Sequence, residues 1–287
     1  MAVFFNALGM VTRTAPELLP ETADALYGIP KPLQQLIVAT PGSDSCVRIV
    51  ETPYAAKPFQ PLMVGPYGLD VYSTDIQTSI NLARQTGAYA TELVKYDIHG
   101  EVLQSEAPQF ESRYVGPDAL SVYVSDIAVC GHRFPTILDG EPRRLHSEVN
   151  MLVWVVEDQD AAKAFWTEEA GLQVVVDRYE GEEGMIDLMA HPYETPLRVV
   201  NVTDAAKTRR MEFMCYTDAK VGRRPDWPLQ GGLHAAGIHV ADLDAAMKQL
   251  PSAEFRDVVE MKIDGRIVRG VAGKAPGDTM FELWEMV

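Results

Sequence analysis

The stretch GDTMFELWE, residues 277–285, sets an acid in the middle of an apolar strand. Met280 and Trp284 fall on one face of that strand and Phe281 and Leu283 on the other, the pattern of a strand covered on both sides. Glu282 stands among them, and a buried carboxylate must be paired, protonated or bound to a metal. In apolar surroundings its pKa rises, which suits a general acid or base. Three other residues could work with it. His239 or His234 could shuttle a second proton, and Arg198 could hold an oxyanion or simply neutralise Glu282. The two histidines have opposite strand parity, so a regular strand presents only one, and a bulge in HAAG would be needed to turn His234 inward. Each is as readily a hydrogen-bonded structural histidine. Met151, Trp154, Met280 and Trp284 could wall a site for an aromatic molecule, although aromatics at such spacing are usually core. No phosphate-binding loop, dinucleotide fingerprint, nucleophile elbow or H-E-x-x-H is present, so nucleotide and serine-hydrolase chemistry lack support.

Bulk properties narrow the partners. Lys and Arg number 25 and Asp and Glu 41, a formal charge of −16. That excludes a nucleic-acid backbone or an anionic membrane as partner, since either needs a concentrated basic surface. Hydrophobic residues make up 47% of 287, enough for full cores. Three cysteines, Cys46, Cys130 and Cys215, are far apart and form no disulfide framework or metal knuckle. A cytoplasmic protein is expected, with a small molecule as its partner. The N-terminal residues have no basic n-region and read as a first strand, not a leader. Oligomeric state is left open, a homo-oligomer included.

The elements that must position these residues repeat. LVWVVEDQDAAKAFWTEEAGLQVVV (152–176) reads as strand, Asp cap, amphipathic helix, Gly stop and strand. AGIHVADLDAAMKQL (236–250) and YGLDVYSTDIQTSINLARQTGA (67–88) share that grammar, capped by Asp242 and Asp75. A first copy is blurred: strand near 2–12, helix near 16–27, then two strands. The closing strands also rhyme, at 40–51, 115–125, 195–202 and 275–285. Four βαβββ units follow, near 1–56, 62–128, 147–204 and 231–287. The Pro- and charge-bearing stretch 129–146 divides the chain into domains 1–128 and 147–287, and 219–232 connects the last two units. The EGEEG stretch, 180–184, reads as a hairpin tip.

In order and spacing, these motifs resemble the vicinal oxygen chelate superfamily: glyoxalase I, bleomycin-resistance proteins and extradiol dioxygenases. The resemblance covers most of the chain, most clearly its second half. It implies an α+β fold of four βαβββ modules forming two open barrels. It also implies a cavity in each barrel and, in members that use one, a divalent metal (Fe, Mn, Zn or Ni) held by His or Glu on opening strands and Glu on closing strands.

Glu282 matches the closing-strand ligand. The opening-strand slot, seven residues before the capping Asp, holds Ala235 in unit four, with His234 beside it, and Met151 in unit three. Closing-strand slots give Arg48 in unit one, Ser121 in unit two and Arg198 in unit three. The metal set implied is thus Glu282 with His234, short of a full site, so no metal at all is the other reading. The function implied is an enzyme on a small apolar or aromatic molecule, by proton-transfer lyase or isomerase chemistry centred on Glu282. The alternatives are an extradiol-type ring-cleaving dioxygenase and a non-catalytic binding or resistance protein. Tyr67, Tyr72, Tyr114 and Tyr123 could instead serve a cavity in the first half.

Overall fold

The computed structural model describes residues 1–54, 62–97, 108–127, 134–180, 188–189, 197–207, 210–216, 221–223, 228–263 and 266–287. Unit one departs from expectation. Residues 2–12 open with a helix, α1 (Ala2–Ala7), followed by strand β1 (Val11–Leu18). Phe4, Phe5 and Leu8 lie on one helical stripe and are buried, and Gly9 stops the turn in the left-handed region at φ 76°. Helix α2 (Pro20–Tyr27) starts on a proline and ends at Gly28, φ 67°, before β2 (Leu33–Ala39) and β3 (Cys46–Val50).

The other units follow the predicted grammar. Unit two has β4 (Met63–Ser73), α3 (Ile76–Gln85), β5 (Tyr89–Ala90), β6 (Val94–Asp97), β7 (Pro108–Val115) and β8 (Ser121–Asp126). Unit three has β9 (Met151–Val155), α4 (Gln159–Ala164) with a wide turn over Phe165–Glu169, β10 (Gln173–Glu180), β11 (Leu197–Thr203) and β12 (Arg210–Tyr216). Strand β13 (Gly222–Arg223) precedes unit four, which has β14 (Ala236–His239), α5 (Leu243–Gln249), β15 (Glu254–Phe255), β16 (Val259–Ile263), β17 (Arg266–Ala275) and β18 (Thr279–Met286). Asp75, Asp158 and Asp242 cap their helices, accepting from Thr78, Ala161 and Ala245 N–H groups at 3.0, 2.9 and 2.9 Å. The closing strand of unit three is β12, not 195–202, because β12 pairs in parallel with β9 as β18 does with β14. Beyond Glu180, the EGEEG stretch lies outside the described residues, as does Cys130; Cys46 and Cys215 are free thiols. Among the described residues no helix is long and apolar enough to cross a membrane.

Strand pairing joins units that are not expected to share a barrel. Opening strands β4 and β9 pair antiparallel, Asp70 opposite Met151, so units two and three form one sheet in the order β10-β11-β12-β9-β4-β8-β7-β5. Units one and four form separate sheets, β1-β2-β3 and β14-β18-β17-β15.

The apolar clusters follow a matching plan. On the helix side, Phe4, Phe5, Val71 and Ile80 join units one and two, while Trp154, Phe165, Trp166, Phe213 and Phe281 join units three and four. The Trp166 indole N–H donates to Thr279 Oγ1 at 3.0 Å inside this second cluster. On the opposite faces the partners change. Tyr67 and Tyr123 pack with Met151, Leu197 and Met214, joining units two and three. Leu26, Tyr27 and Leu33 pack with Val259 and Ala272, joining units one and four. The fully buried members of the helix-side clusters thus respect the division at 129–146, and those of the opposite faces cross it.

The turn before Glu282 explains the glycine of its motif. Gly277 has φ 78°, and a Cβ there would lie 2.6 Å from Ala162 Cβ and 2.9 Å from the Asp158 carbonyl oxygen. Gly277→Ala is therefore expected to destabilise the chain by about 1–3 kcal/mol through strain and crowding against α4, read as a lower midpoint in urea denaturation.

Candidate functional site

Glu282 is buried, 6% exposed, and it is paired. Tyr27 Oη donates to its Oε1 at 2.8 Å, Trp284 Nε1 donates to Oε2 at 2.9 Å, and an Arg48 terminal nitrogen donates to Oε2 and to the Tyr27 hydroxyl. Two closing strands, β3 and β18, thus present a cation and an anion to each other. The Arg48 guanidinium lies 4.6 Å from the Trp284 ring centroid and 5.7 Å from that of Tyr27. Trp284 lies across Gly270, where a Cβ would come within 2.4 Å of the ring. Burial opposes the charge on Arg48, but Glu282 and the Tyr27 hydroxyl outweigh it and its pKa rises. Burial likewise pushes the Tyr27 hydroxyl well above 10.0, so it remains a donor.

The remaining expected residues scatter. Met280 and Trp284 share the face of Glu282 by strand alternation. His234 lies edge-on to Tyr27, with ring centroids 6.3 Å apart. His239 is exposed and aligns with Trp284 in the β14–β18 ladder. Arg198 is not brought to Glu282, because β11 belongs to the sheet of units two and three; it holds Asp177 at 2.9 and 3.0 Å and Asp160 at 2.8 Å. Trp154 turns to the helix-side core with no exposure, so it is packing, not a cavity wall. Met151 faces away from the helices beside Tyr67 and Tyr123, on a different sheet from Glu282.

That second face holds an acid group that sequence reading passed over. Asp70 of β4 aligns with Tyr123 on one side and Met151 on the other, Tyr123 with Arg113, and Met151 with Arg210. Asp70 is 3% exposed, and its Oδ1 is buried with no hydrogen-bond partner among the described residues. Burial first, then the nearby Glu111, push its pKa well above 3.8; Arg210 opposes and Glu212 adds. Glu111 accepts a hydrogen bond from Ser125 Oγ. Arg210 donates to Asn150 Oδ1 at 2.6 Å and to Tyr72 Oη at 3.1 Å, under the Phe134 ring at 4.1 Å. The Tyr67 and Tyr123 rings stack at 6.2 Å, and burial raises both hydroxyl pKa values. The signal was available: LDVY places a carboxylate inside an apolar strand just as MFELW does.

No protein-family model and no curated protein matches the sequence. Solved structures do. A glyoxalase I mutant from Zea mays matches 99% of this chain and 86% of its own at 12% identity and TM-score 0.58. A candidate dioxygenase from Bacillus subtilis matches 99% of this chain and 80% of its own at 11% identity and TM-score 0.57. This chain has the vicinal oxygen chelate fold, an α+β arrangement of repeated units with open sheets.

The metal implied by that fold does not fit Glu282. Both carboxylate oxygens are taken by Tyr27, Trp284 and Arg48, and a metal ion would have to displace a guanidinium. Among the described residues no group of three His, Cys, Asp or Glu is placed to hold a metal ion.

The pair behaves as a staple between the first and last units. Arg48→Met, which leaves Glu282 buried and unpaired, is expected to cost about 3–5 kcal/mol, and adding Glu282→Leu is expected to restore most of it. Chemical denaturation of the single and double variants checks this.

Proposed function

We propose that this protein is an enzyme of the vicinal oxygen chelate type that moves a proton beside the carbonyl of a small apolar or aromatic molecule, as an isomerase or lyase. Its working face is the one between units two and three. The observation that carries this reading is Asp70, a buried carboxyl whose pKa is raised well above the ordinary value by burial and then by Glu111, with one oxygen that has no partner among the described residues. Glu282, expected to do this work, has spent its acceptors on Arg48, Tyr27 and Trp284.

The chemistry needs an acid and a base at once. Two neighbouring carboxyls in one buried site do not both ionise, so one holds the proton that the other lacks. Asp70 gives its proton to the carbonyl oxygen as Glu111, held by Ser125, takes the proton from the adjacent carbon. The product is an enol, and return of a proton to carbon from either side completes isomerisation. Elimination of a group one carbon further on gives the lyase outcome. No electrons leave the substrate, and no co-reactant is required. Tyr67, Tyr123 and Met151 supply the apolar and aromatic contact surface. The ring-cleaving alternative requires an iron ligand set, and no observation favours it over proton transfer.

Proton transfer leaves a trace even without net turnover: the carbon-bound hydrogen of a ketone or aldehyde exchanges with D2O. Aryl ketones and aldehydes followed by NMR should lose that hydrogen faster with the wild-type chain, and Asp70→Asn should slow the exchange by about 10²-fold or more. Exchange undiminished in Asp70→Asn would overturn the assignment.

Stability gives a second readout. A carboxyl whose pKa is raised on folding contributes stability fully below its unfolded pKa, and that contribution is lost as pH rises through the folded value. Wild type should therefore lose stability relative to Asp70→Asn as pH climbs above 3.8, the ordinary value. Thermal melts of both proteins from roughly pH 4 to pH 8 should diverge, with the variant the more stable at neutral pH.

A further inference from the structure

Unit one is built on the plan of the others but for one strand. Helix α1 stops at Gly9, φ 76°, and leads into β1, as α3 stops at Gly87, φ 84°, before β5, and α4 with its wide turn at Gly171, φ 74°, before β10. Strands β1, β2 and β3 then pair antiparallel in order, as β10, β11 and β12 do, with α2 inserted after the first. In units two, three and four the closing strand also pairs in parallel with the opening strand: β8 with β4, β12 with β9, and β18 with β14. Among the described residues unit one has no opening strand, and the outer edge of β3 pairs with none.

A second open edge borders the same seam. Opening strands β4 and β9 pair antiparallel, but the outer edge of β14 pairs with no described strand. Arg48 of β3 meets Glu282 of β18, and β14 lies alongside β18. One further strand, parallel to β3 and antiparallel to β14, would repeat between units four and one the order β12-β9-β4-β8 already present between units three and two. Both edges are also bare: no residue of β3 or β14 is buried, whereas Ser121–Ser125 of β8 and Val153–Val155 of β9 are. Open edges of this kind accept another strand. Helix α1 says where that strand comes from. The caps stand two or three residues past their opening strands: Asp75 after Ser73, Asp158 after Val155, Asp242 after His239. In unit one Met1 holds the capping place, with no side-chain hydrogen bond. Residues at even distances before each cap face the helix-side cores: Leu69 and Val71, Trp154 and Val156, Ile238 and Val240. Val47 and Ile49 of β3 take that same side.

We propose that the facing edges of β3 and β14 form a strand-accepting interface, whose occupant is an extended segment joined to this chain ahead of Met1. It runs parallel to β3 and antiparallel to β14, with apolar side chains at even distances before Met1. It joins the sheets of units one and four as β4 and β9 join those of units two and three. A second copy of the chain does not fit. Its open strands carry their own sheets behind them, and two facing edges call for a strand free on both sides. The interface is separate from the acid–base face and holds whether or not that reading stands.

Hydrogen exchange read by mass spectrometry tests the interface. In the chain as it stands, β3 and β14 should exchange at least about tenfold faster than β8 and β9, whatever the protein concentration. An extension of about eight residues, alternating Val and Thr, is then fused ahead of Met1 with Val at the even distances. It should slow exchange in β3 and β14 by at least about tenfold and raise the thermal midpoint. Exchanging Val and Thr turns the apolar side to the wrong face and should give neither effect, and nor should a Gly-Ser extension of the same length. Protection of β3 and β14 without any extension, no protection from the Val-even extension, or equal protection from both phases would each overturn the proposal. So would protection of the unextended chain that grows with concentration, which would give the edges to a second copy.

Discussion

A carboxylate and a guanidinium 234 residues apart meet with little access to water, and once both are present units one and four must face each other there. Neither charge is tolerable alone in such surroundings. Glu282 sits in a strand whose other face is locked into an aromatic core by Phe281, so it cannot turn outward. Arg48 sits on a strand whose neighbours Val47 and Ile49 pack against the other helix-side core. Each charge is therefore aimed by apolar residues beside it, and the fold must bring units one and four together to satisfy both. Closing so long a loop carries an entropic cost that local cores do not.

Those local cores lie on the helix side of the sheets, and each draws its buried members from one half of the chain. The opposite faces draw theirs from both halves. One seam pairs its acid with a guanidinium, a phenol and an indole N–H. The other seam keeps, beside tyrosines, a carboxyl with one oxygen unmatched among the described residues. A fold that tolerates such a mismatch in one place does so on stability supplied elsewhere.

Much of this was legible in the residues. Three Asp caps, the Gly stops and the apolar periodicity gave units two, three and four, because short-range signals act through the backbone next to them. Unit one was misread because Phe4 and Phe5 fit a strand as well as a helix, and only their burial against α3 decides between them. At the site, Glu282 stood out as a charge in an apolar strand, yet its partner did not. Arg48 was noted as a closing-strand residue, but nothing local says that unit one meets unit four. Arg198, nearer in sequence, looked the better partner and lies in another sheet. Asp70 carried the same signal as Glu282 and was passed over because it matched no slot of the family pattern.

Unit one packs on two, two on three, three on four, and four back on one, so the four make a closed ring rather than a row. A row can be frayed from its end. In a ring, every member is gripped from two directions, and parting one junction leaves both of its members anchored by the next. Opening the junction between units one and four would therefore leave each of them anchored, one on unit two and the other on unit three.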